Sequence, residues 1–274
     1  MTEALQTLAP LAAGTRALVL GLGRTGLSAA RYLDRRGLSV RVADTRVNPP
    51  GVDVLRADVP AAELRTGACS SSLLDDVAQV VISPGLSLQE SIVRTARERG
   101  CPVVGDIELF AREAPAPIAA ITGTNGKSTV TTLVAEIANA GGRRAVAGGN
   151  LGEPALDLLE RPTPDLYVLE LSSFQLETTC SLRTVASTVL NVTPDHMDRY
   201  ASLEAYGAAK ARIFDGCDVA VINADDPAVR GMPRPGQSVV SFSLESNDAD
   251  YTLGHSPAPM ILRRGEPLLP LAAM

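Results

Sequence analysis

Ile118-Ala-Ala-Ile-Thr-Gly-Thr-Asn-Gly-Lys-Ser-Thr-Val-Thr-Thr132 is the stretch that decides how this chain of 274 residues is read. Ile118 to Ile121 is a short apolar run with the length of a buried strand. It breaks at Gly123, turns through Asn125 and Gly126, and resumes from Lys127 with helical spacing, Val130, Leu133, Val134 and Ile137 forming one apolar stripe. A strand, a glycine turn and a helix start in that order make an anion site. Glycine lets backbone amides approach a ligand without a Cβ in the way, and the helix N-terminus adds unpaired N–H groups and partial positive charge. Gly123, Thr124, Asn125 and Gly126 then form a phosphate loop. Lys127 reaches the terminal phosphates of a nucleotide, and the Ser128 or Thr129 hydroxyl holds magnesium. The spacing departs from G-x-x-x-x-G-K-[ST], because Ile121 stands five residues before Gly126. The bland alternative is a plain strand-to-helix turn followed by a surface lysine.

Outward from this stretch the chain alternates strands and helices. Arg16 to Leu20 reads as a strand leading into Gly21-Leu-Gly-Arg-Thr-Gly26, then a helix, then a strand from Ser39 ending at Asp44. A further strand, Ala78 to Ile82, ends at Ser83-Pro-Gly85. A helix from about Gln89 to Arg99 and a short strand, Pro102 to Val104, follow. After Ile118–Ile121, strands are expected at Arg144–Ala147, Leu166–Leu171, Val185–Leu190 and Val219–Ile222. Past Val239 short segments with Gly and Pro suggest a small antiparallel appendage. The fold class expected is therefore α/β. A Rossmann-like domain over 1–104 precedes a P-loop-type, ATP-binding central domain over 105–274 with a parallel sheet.

Composition narrows the class. Hydrophobic residues make up 45% and charged residues 20%, enough for real cores in two domains. The net charge of −6 and the absence of Trp argue against a nucleic-acid surface. Cys69, Cys101, Cys180 and Cys217 are scattered without C-x-x-C spacing, which fits reduced thiols in the cytoplasm. No apolar run reaches membrane-spanning length, and Met1-Thr-Glu-Ala-Leu-Gln lacks the basic-then-apolar pattern of a leader.

The remaining signals each have two readings. Gly21-x-Gly23-x-x-Gly26 with Asp44 is the dinucleotide fingerprint, yet the same geometry holds any diphosphate. Asp44-Thr-Arg46 offers an acceptor, a hydroxyl and a cation suited to a sugar–phosphate. Glu170 lies inside an apolar strand, where a carboxylate needs either a metal or an ion pair. His196 sits in an acid-rich turn and is either functional or incidental. Lys210, on a helix over Leu203–Phe214, reads as solvated. Asn223 ends a strand, either against a nucleoside or simply capping the turn. An NAD-linked oxidoreductase would use the first glycine turn and leave the second unexplained; a non-catalytic nucleotide-binding module would use both.

Taken together, Gly123-Thr-Asn-Gly-Lys-Ser-Thr129, Gly149-Asn-Leu-Gly152, Glu170-Leu-Ser-Ser-Phe-Gln-Leu-Glu177, Asn191-Val-Thr-Pro-Asp-His-Met-Asp-Arg-Tyr200 and Asn223-Ala-Asp-Asp226 resemble the Mur ligases of peptidoglycan synthesis. Gly105-Asp-Ile-Glu-Leu-Phe110 and the first-domain motifs resemble the glutamate-adding branch. The resemblance implies an ATP- and Mg2+-dependent amide ligase that joins glutamate to UDP-N-acetylmuramoyl-L-alanine through an acyl phosphate. It assigns Arg24, Thr25, Asp44, Thr45, Arg46, Ser83 and Gly85 to the UDP end, although Arg24 stands where the family has leucine. Asn150 and His196 go to the muramoyl end. Lys127 and the 123–129 loop go to ATP, Asn223 to adenine, and Ser128, Thr129, Glu170, His196 and Lys210 to the metals. Lys210 would serve as a carbamate, the reverse of its reading as a solvated cation, with Lys127, His196 and Lys210 as the catalytic set. A cytoplasmic monomer with no nucleic-acid or membrane partner is expected, and the family's C-terminal domain is expected to be absent from this chain.

Overall fold

The computed structural model describes residues 11–255 and 258–273. The reading of Met1 to Gln6 lies outside the described residues. Contacts divide the chain into two compact units. The first comprises 1–115 with the later segments 148–163 and 174–182, and the second holds 116–147, 164–173 and 183–274.

The first unit is built on β1 (Arg16–Leu20), β2 (Ser39–Asp44), β3 (Glu63–Thr66), β4 (Val77–Ile82) and β5 (Val103–Val104). They form one sheet in the order β3-β2-β1-β4-β5, with all four pairings parallel. Its helices are α1 (Arg24–Arg35), α2 (Val52–Asp58), α3 (Ser91–Glu98) and α4 (Asp106–Glu113). Sequence order reverses direction beside β1, so β1 and β4 part at their carboxyl ends and leave a crevice there. Leu18, Leu20, Val80, Ile82, Val93 and Ala96 pack as the core beneath it. A Cβ at Gly26 would overlap the Gly21 carbonyl oxygen, so glycine lets α1 start this close to the end of β1.

Two buried acids at the start of α4 account for the Gly105-Asp-Ile-Glu motif. The Glu108 carboxylate accepts the amides of Cys180 (2.7 Å) and Ser181 (2.9 Å) and the Ser181 hydroxyl (2.7 Å). Asp106 accepts from Gln175 Nε2 at 3.0 Å, while its second oxygen, Oδ1, is buried without a hydrogen-bond partner. These bonds hold 174–182 in the first unit. Burial pushes the Asp106 carboxyl up from 3.8 to about 6.

The second unit carries β6 (Ile118–Thr122), β7 (Ala145–Gly149), β8 (Leu166–Glu170), β9 (Ala186–Val189), β10 (Val219–Asn223), β11 (Ser238–Phe242), β12 (Tyr251–Gly254), β13 (Met260–Arg263) and β14 (Glu266–Pro270). The order is β14-β13-β12-β11-β10-β9-β6-β8-β7. Strands β8, β6, β9, β10, β11 and β12 pair in parallel, and β12 with β13 and β13 with β14 pair antiparallel. The antiparallel appendage is present, but it extends the main sheet and begins with the β12–β13 pairing, since β12 still pairs parallel to β11. The second unit's helices are α5 (Lys127–Ala140), α8 (Leu203–Ala211) and α9 (Pro227–Arg230), while α6 (Ala155–Leu158) and all but the first residue of α7 (Ser173–Glu177) belong to the first unit. Among the described residues no helix is long and apolar enough to cross a membrane.

The core face of α5 differs from the expected stripe. Thr131 and Ala135 are buried, with Val130 and Val134 partly covered, whereas Leu133 and Ile137 are 44% and 62% exposed. The helix rests on Ile121 and Val168 through Ala135, Val130 and Val134, and Leu133 and Ile137 stay outside the contact.

Asp106 gives this fold a pH signature. Its folded carboxyl holds a proton more tightly than the unfolded one, so its contribution to stability falls as pH rises from about 4 to about 6 and stays low above that. Asp106→Asn keeps the Gln175 contact and removes the buried charge. Urea unfolding at pH 8 is expected to show the variant more stable by on the order of 2 kcal/mol, with the gain vanishing near pH 4. A variant less stable at pH 8 than at pH 4, relative to the parent, contradicts this.

Candidate functional site

In the first unit a cleft of about 450 Å³ opens at the carboxyl ends of β1, β2 and β4. Arg24, Thr25, Asp44, Thr45, Arg46, Ser83, Gly85 and Asn150 all line it, together with Gln175, which sequence reasoning did not single out. Asp44 is 3% exposed and its two oxygens are fully engaged. Oδ2 accepts the Leu22 amide (2.7 Å) and Arg46 Nη2 (2.6 Å), and Oδ1 accepts the Arg46 amide and Nε, both at 2.9 Å. The Arg46 hydrogen bonds hold the Asp44 carboxyl down at about 2. Asp44 therefore braces the glycine turn and aims Arg46, which remains half-exposed at the cleft. Ser83 Oγ donates to the Gly21 carbonyl at 3.2 Å, a second brace on the same turn. Arg24 Nη2 donates to the Gly152 carbonyl, linking the start of α1 to the Gly149–Gly152 loop.

In the second unit β6 ends at Thr122, Gly123 follows, and α5 starts at Lys127, with Gly126 capping the helix at φ +80°. That left-handed conformation is open to glycine with no steric cost. Asn191, just past β9, holds the loop. Its Oδ1 accepts the amides of Thr124 (3.1 Å) and Asn125 (2.8 Å), and its Nδ2 donates to the Asn125 carbonyl at 3.1 Å. Asp226 in turn accepts the Val192 amide at 2.8 Å while its other oxygen caps α9. The loop is thus fixed by residues about 67 and 100 positions downstream, brought beside it because β9 pairs with β6 and β10 with β9. Asn191 and Asp226 were quoted in motifs but given no role; only the strand order exposes it.

Two lysines converge on one carbonyl. Lys127 Nζ donates to Gly123 O (3.1 Å) and Thr124 O (2.9 Å), and Lys210 Nζ donates to Gly123 O at 2.8 Å. Lys210 is 1% exposed, so the reading of a solvated lysine is corrected: α8 turns it inward. Its Nζ also lies 4.3 Å from the centre of the Tyr206 ring. Burial, then repulsion from Lys127, pull the ammonium down from 10.5 to about 7. Glu170, 2% exposed, accepts the Ser128 hydroxyl at 2.7 Å beside the loop. Thr129 is exposed on the first turn of α5.

His196 has φ +54° and lies edge-on to Tyr206, with ring centres 6.2 Å apart. Its imidazole Nε2 is 3.5 Å from the Asp195 carboxylate. Asn223 serves the turn, donating to the Leu190 carbonyl at 3.0 Å and accepting the Asp225 amide at 3.0 Å. Among the described residues no group of three or more His, Cys, Asp or Glu side chains is assembled for a metal. The oxygens at the loop are Ser128 and Glu170, hard donors of the kind magnesium takes beside phosphates.

A parallel sheet whose glycine loop opens a helix beside two lysines has the chemistry of an anion site. Residues 15–105 match the model of the Mur ligase MurD-like N-terminal domain, and residues 121–256 match the Mur ligase middle domain. The chain belongs to the Mur ligase family. It is 54% identical over 239 residues to the UDP-N-acetylmuramoylalanine–D-glutamate ligase of Nitrosococcus oceani, covering 87% of this chain and 52% of that protein. To the protein of the same name from Escherichia coli it is 49% identical over 263 residues, covering 95% and 59%. The chain thus spans about half the length of the curated relatives it matches. The fold is also that of the Neisseria meningitides ligase acting on UDP-N-acetylmuramate and L-alanyl-gamma-D-glutamyl-meso-diaminopimelate. That match has TM-score 0.60 and 17% identity, over 93% of this chain and 86% of that one. The UDP-N-acetylmuramate-alanine ligase of Thermotoga maritima matches with TM-score 0.55 and 21% identity, over 93% and 59%.

The Asn191 clamp has a direct test. Asn191→Ala removes three hydrogen bonds from the loop and is expected to lower stability by about 1–2 kcal/mol. Hydrogen exchange at Asn125 should quicken at least about tenfold, while Thr124, whose amide keeps the Asn191 backbone carbonyl at 3.0 Å, and β6 stay protected. Unchanged exchange at Asn125 would show that the loop holds its shape without the Asn191 side chain.

Proposed function

We propose that the protein of which this chain forms the N-terminal and middle domains joins D-glutamate to UDP-N-acetylmuramoyl-L-alanine at the expense of ATP, in the cytoplasm and as a monomer. The observation that carries the reading is the convergence of eight residues, Arg24 to Asn150, on one cleft, in a chain with a separate phosphate loop. The names of relatives near 50% identity support the substrate and the stereochemistry of the added amino acid.

In this reading the first cleft holds the uridine diphosphate end, with Arg46 and Arg24 as its cations and the braced Gly21–Gly26 turn presenting amides. Asp44, saturated by Leu22 and Arg46, orients Arg46 and leaves the hydroxyl contacts to Thr25, Thr45 and Ser83. Asn150 meets the sugar end. ATP, as co-substrate, transfers its terminal phosphoryl group to the alanine carboxylate, and the glutamate amine then displaces phosphate to form the amide. Gly123–Thr129 cradles the phosphates, and Lys127 leaves the Gly123 and Thr124 carbonyls to pair with them. Ser128 and Glu170 would hold Mg2+, which neutralises phosphate charge there, and His196 and Thr129 would complete its surroundings. Lys210 adds a cation next to Lys127 as an ammonium. As the neutral amine it would take up carbon dioxide and release a proton, giving a carbamate anion beside Gly123. Asn223 places the Leu190 turn beside the adenine. Catalysis is then chiefly positioning and charge neutralisation.

A nucleotide-linked oxidoreductase is the competing use of the first cleft. Calorimetry separates the two: UDP-N-acetylmuramoyl-L-alanine is expected to bind the chain and NAD is not. Arg46→Ala should weaken the UDP ligand at least about tenfold, as loss of a charge-assisted phosphate contact does. NAD binding at micromolar strength, with none for the UDP ligand, would overturn the assignment. In parallel, Lys127→Ala should abolish ATP binding with an unchanged circular dichroism spectrum.

A further inference from the structure

The first turn of α4 buries two acids with unequal duties. Glu108 is well paired: it accepts the Cys180 and Ser181 amides, the Ser181 hydroxyl and Arg112 Nε. The backbone of α7 is anchored separately, since the Gln175 carbonyl accepts the hydroxyls of Thr178 (3.1 Å) and Thr179 (2.7 Å). Close packing adds to this docking, because a Cβ at Gly105 would overlap Thr178 Oγ1. Asp106 takes no part in any of these contacts. It is 2% exposed, its Oδ1 is buried without a partner, and its Oδ2 meets one side chain, Gln175 Nε2, at 3.0 Å. A buried carboxylate with one oxygen unpaired lowers stability, and the docking of 174–182 has other bonds to rest on.

The one side chain that Asp106 meets is a wall of the first cleft. Gln175 and Asn150 come from the two later segments of the first unit and line the same cleft as Arg24, Arg46 and Ser83, whereas Asp106 stands behind Gln175, outside the lining. An ionised carboxylate only accepts hydrogen bonds, so it holds the NH2 end of the carboxamide toward itself. The Oε1 end, the other branch of the same planar group, is then turned from Asp106 toward the cleft. An asparagine at 106 would pair with the amide in either direction, so the acid is what fixes the direction.

We propose that Asp106 is a positioning residue of this cleft: acting through Gln175, it makes that wall a hydrogen-bond acceptor, which selects an amide N–H in the part of the ligand beyond the diphosphate. UDP-N-acetylmuramoyl-L-alanine carries such groups in its acetamido and alanyl parts, and UDP ends before them. The inference rests on the ligand reading of the first cleft proposed above.

Titration calorimetry at pH 8, where Asp106 is ionised, tests it with UDP-N-acetylmuramoyl-L-alanine and with UDP. Asp106→Ala and Gln175→Ala are each expected to weaken the muramoyl ligand at least about fivefold, as loss of one hydrogen bond does, and to leave UDP affinity within about twofold. In the double variant the loss is expected to equal that of Gln175→Ala alone, because Asp106 has nothing left to hold. A residue that only stabilised the fold would weaken both ligands alike and would keep its effect without Gln175. Unchanged affinity for the muramoyl ligand in either single variant, losses that add in the double variant, or an equal loss for UDP each overturn the proposal. Asp106→Ser, too short to reach Nε2, replaces the alanine variant if that does not fold. If neither folds, Asp106 is a structural residue and the proposal falls. A parent chain that binds neither ligand fails the ligand reading, and this inference with it. A parent that binds both, with Asp106→Ala behaving as the parent, fails this inference alone.

Discussion

The structure depends on one constraint, repeated in both units: a helix must start within hydrogen-bonding distance of the carboxyl end of a parallel strand. That places unpaired helix amides where the sheet opens, and it forbids side-chain bulk at the turn. At Gly26 the constraint is close approach, because any Cβ would strike the Gly21 carbonyl. At Gly126 it is conformation, because the helix is capped by a left-handed residue. Each turn then needs outside support, since a loop of amides has no reason of its own to stay open. Asp44 and Ser83 provide it in the first unit, and Asn191 with Asp226 in the second.

The two turns differ in charge. In the first, Arg46 is already paired with Asp44, whose carboxyl is kept ionised by that contact, so the guanidinium is held in a fixed direction at the cleft. In the second, Lys127 and Lys210 crowd one carbonyl, and the buried member is close to losing its proton. Two like charges sharing an acceptor leave the loop short of negative charge, which polyphosphate supplies. The contrast fits a structure in which one unit holds a substrate and the other a reactive nucleotide.

Much of this was legible in the sequence because it is local. Glycine spacing, apolar runs and the acids at strand ends lie within a few residues of the features they form, and they placed the parallel sheets, the Gly21–Gly26 turn and Asp44-Thr-Arg46; Arg24, Thr25 and Asn150 were assigned through the family resemblance. What was not legible depends on partners distant in the chain. Lys210 looks solvated because its burial comes from α8 turning toward the loop 87 positions earlier. Asn223 looks available, yet its amide is committed to Leu190 and Asp225. Asp106 and Glu108 look like ordinary first-turn acids until 174–182 is seen docked on them. The α5 stripe shows the limit most plainly. Periodicity identified an apolar face of which Val130 and Val134 pack on the sheet beside Ala135, while Leu133 and Ile137 are left outside it.

The central claim is that this chain carries two distinct phosphate sites, one for a UDP-linked substrate and one for ATP. Titration calorimetry of the 274-residue chain, with each ligand alone and then with the other at saturation, tests it most directly. The account predicts one UDP-N-acetylmuramoyl-L-alanine and one ATP per chain, with Arg46→Ala affecting only the first and Lys127→Ala only the second. Competition between the two ligands for a single site would contradict it.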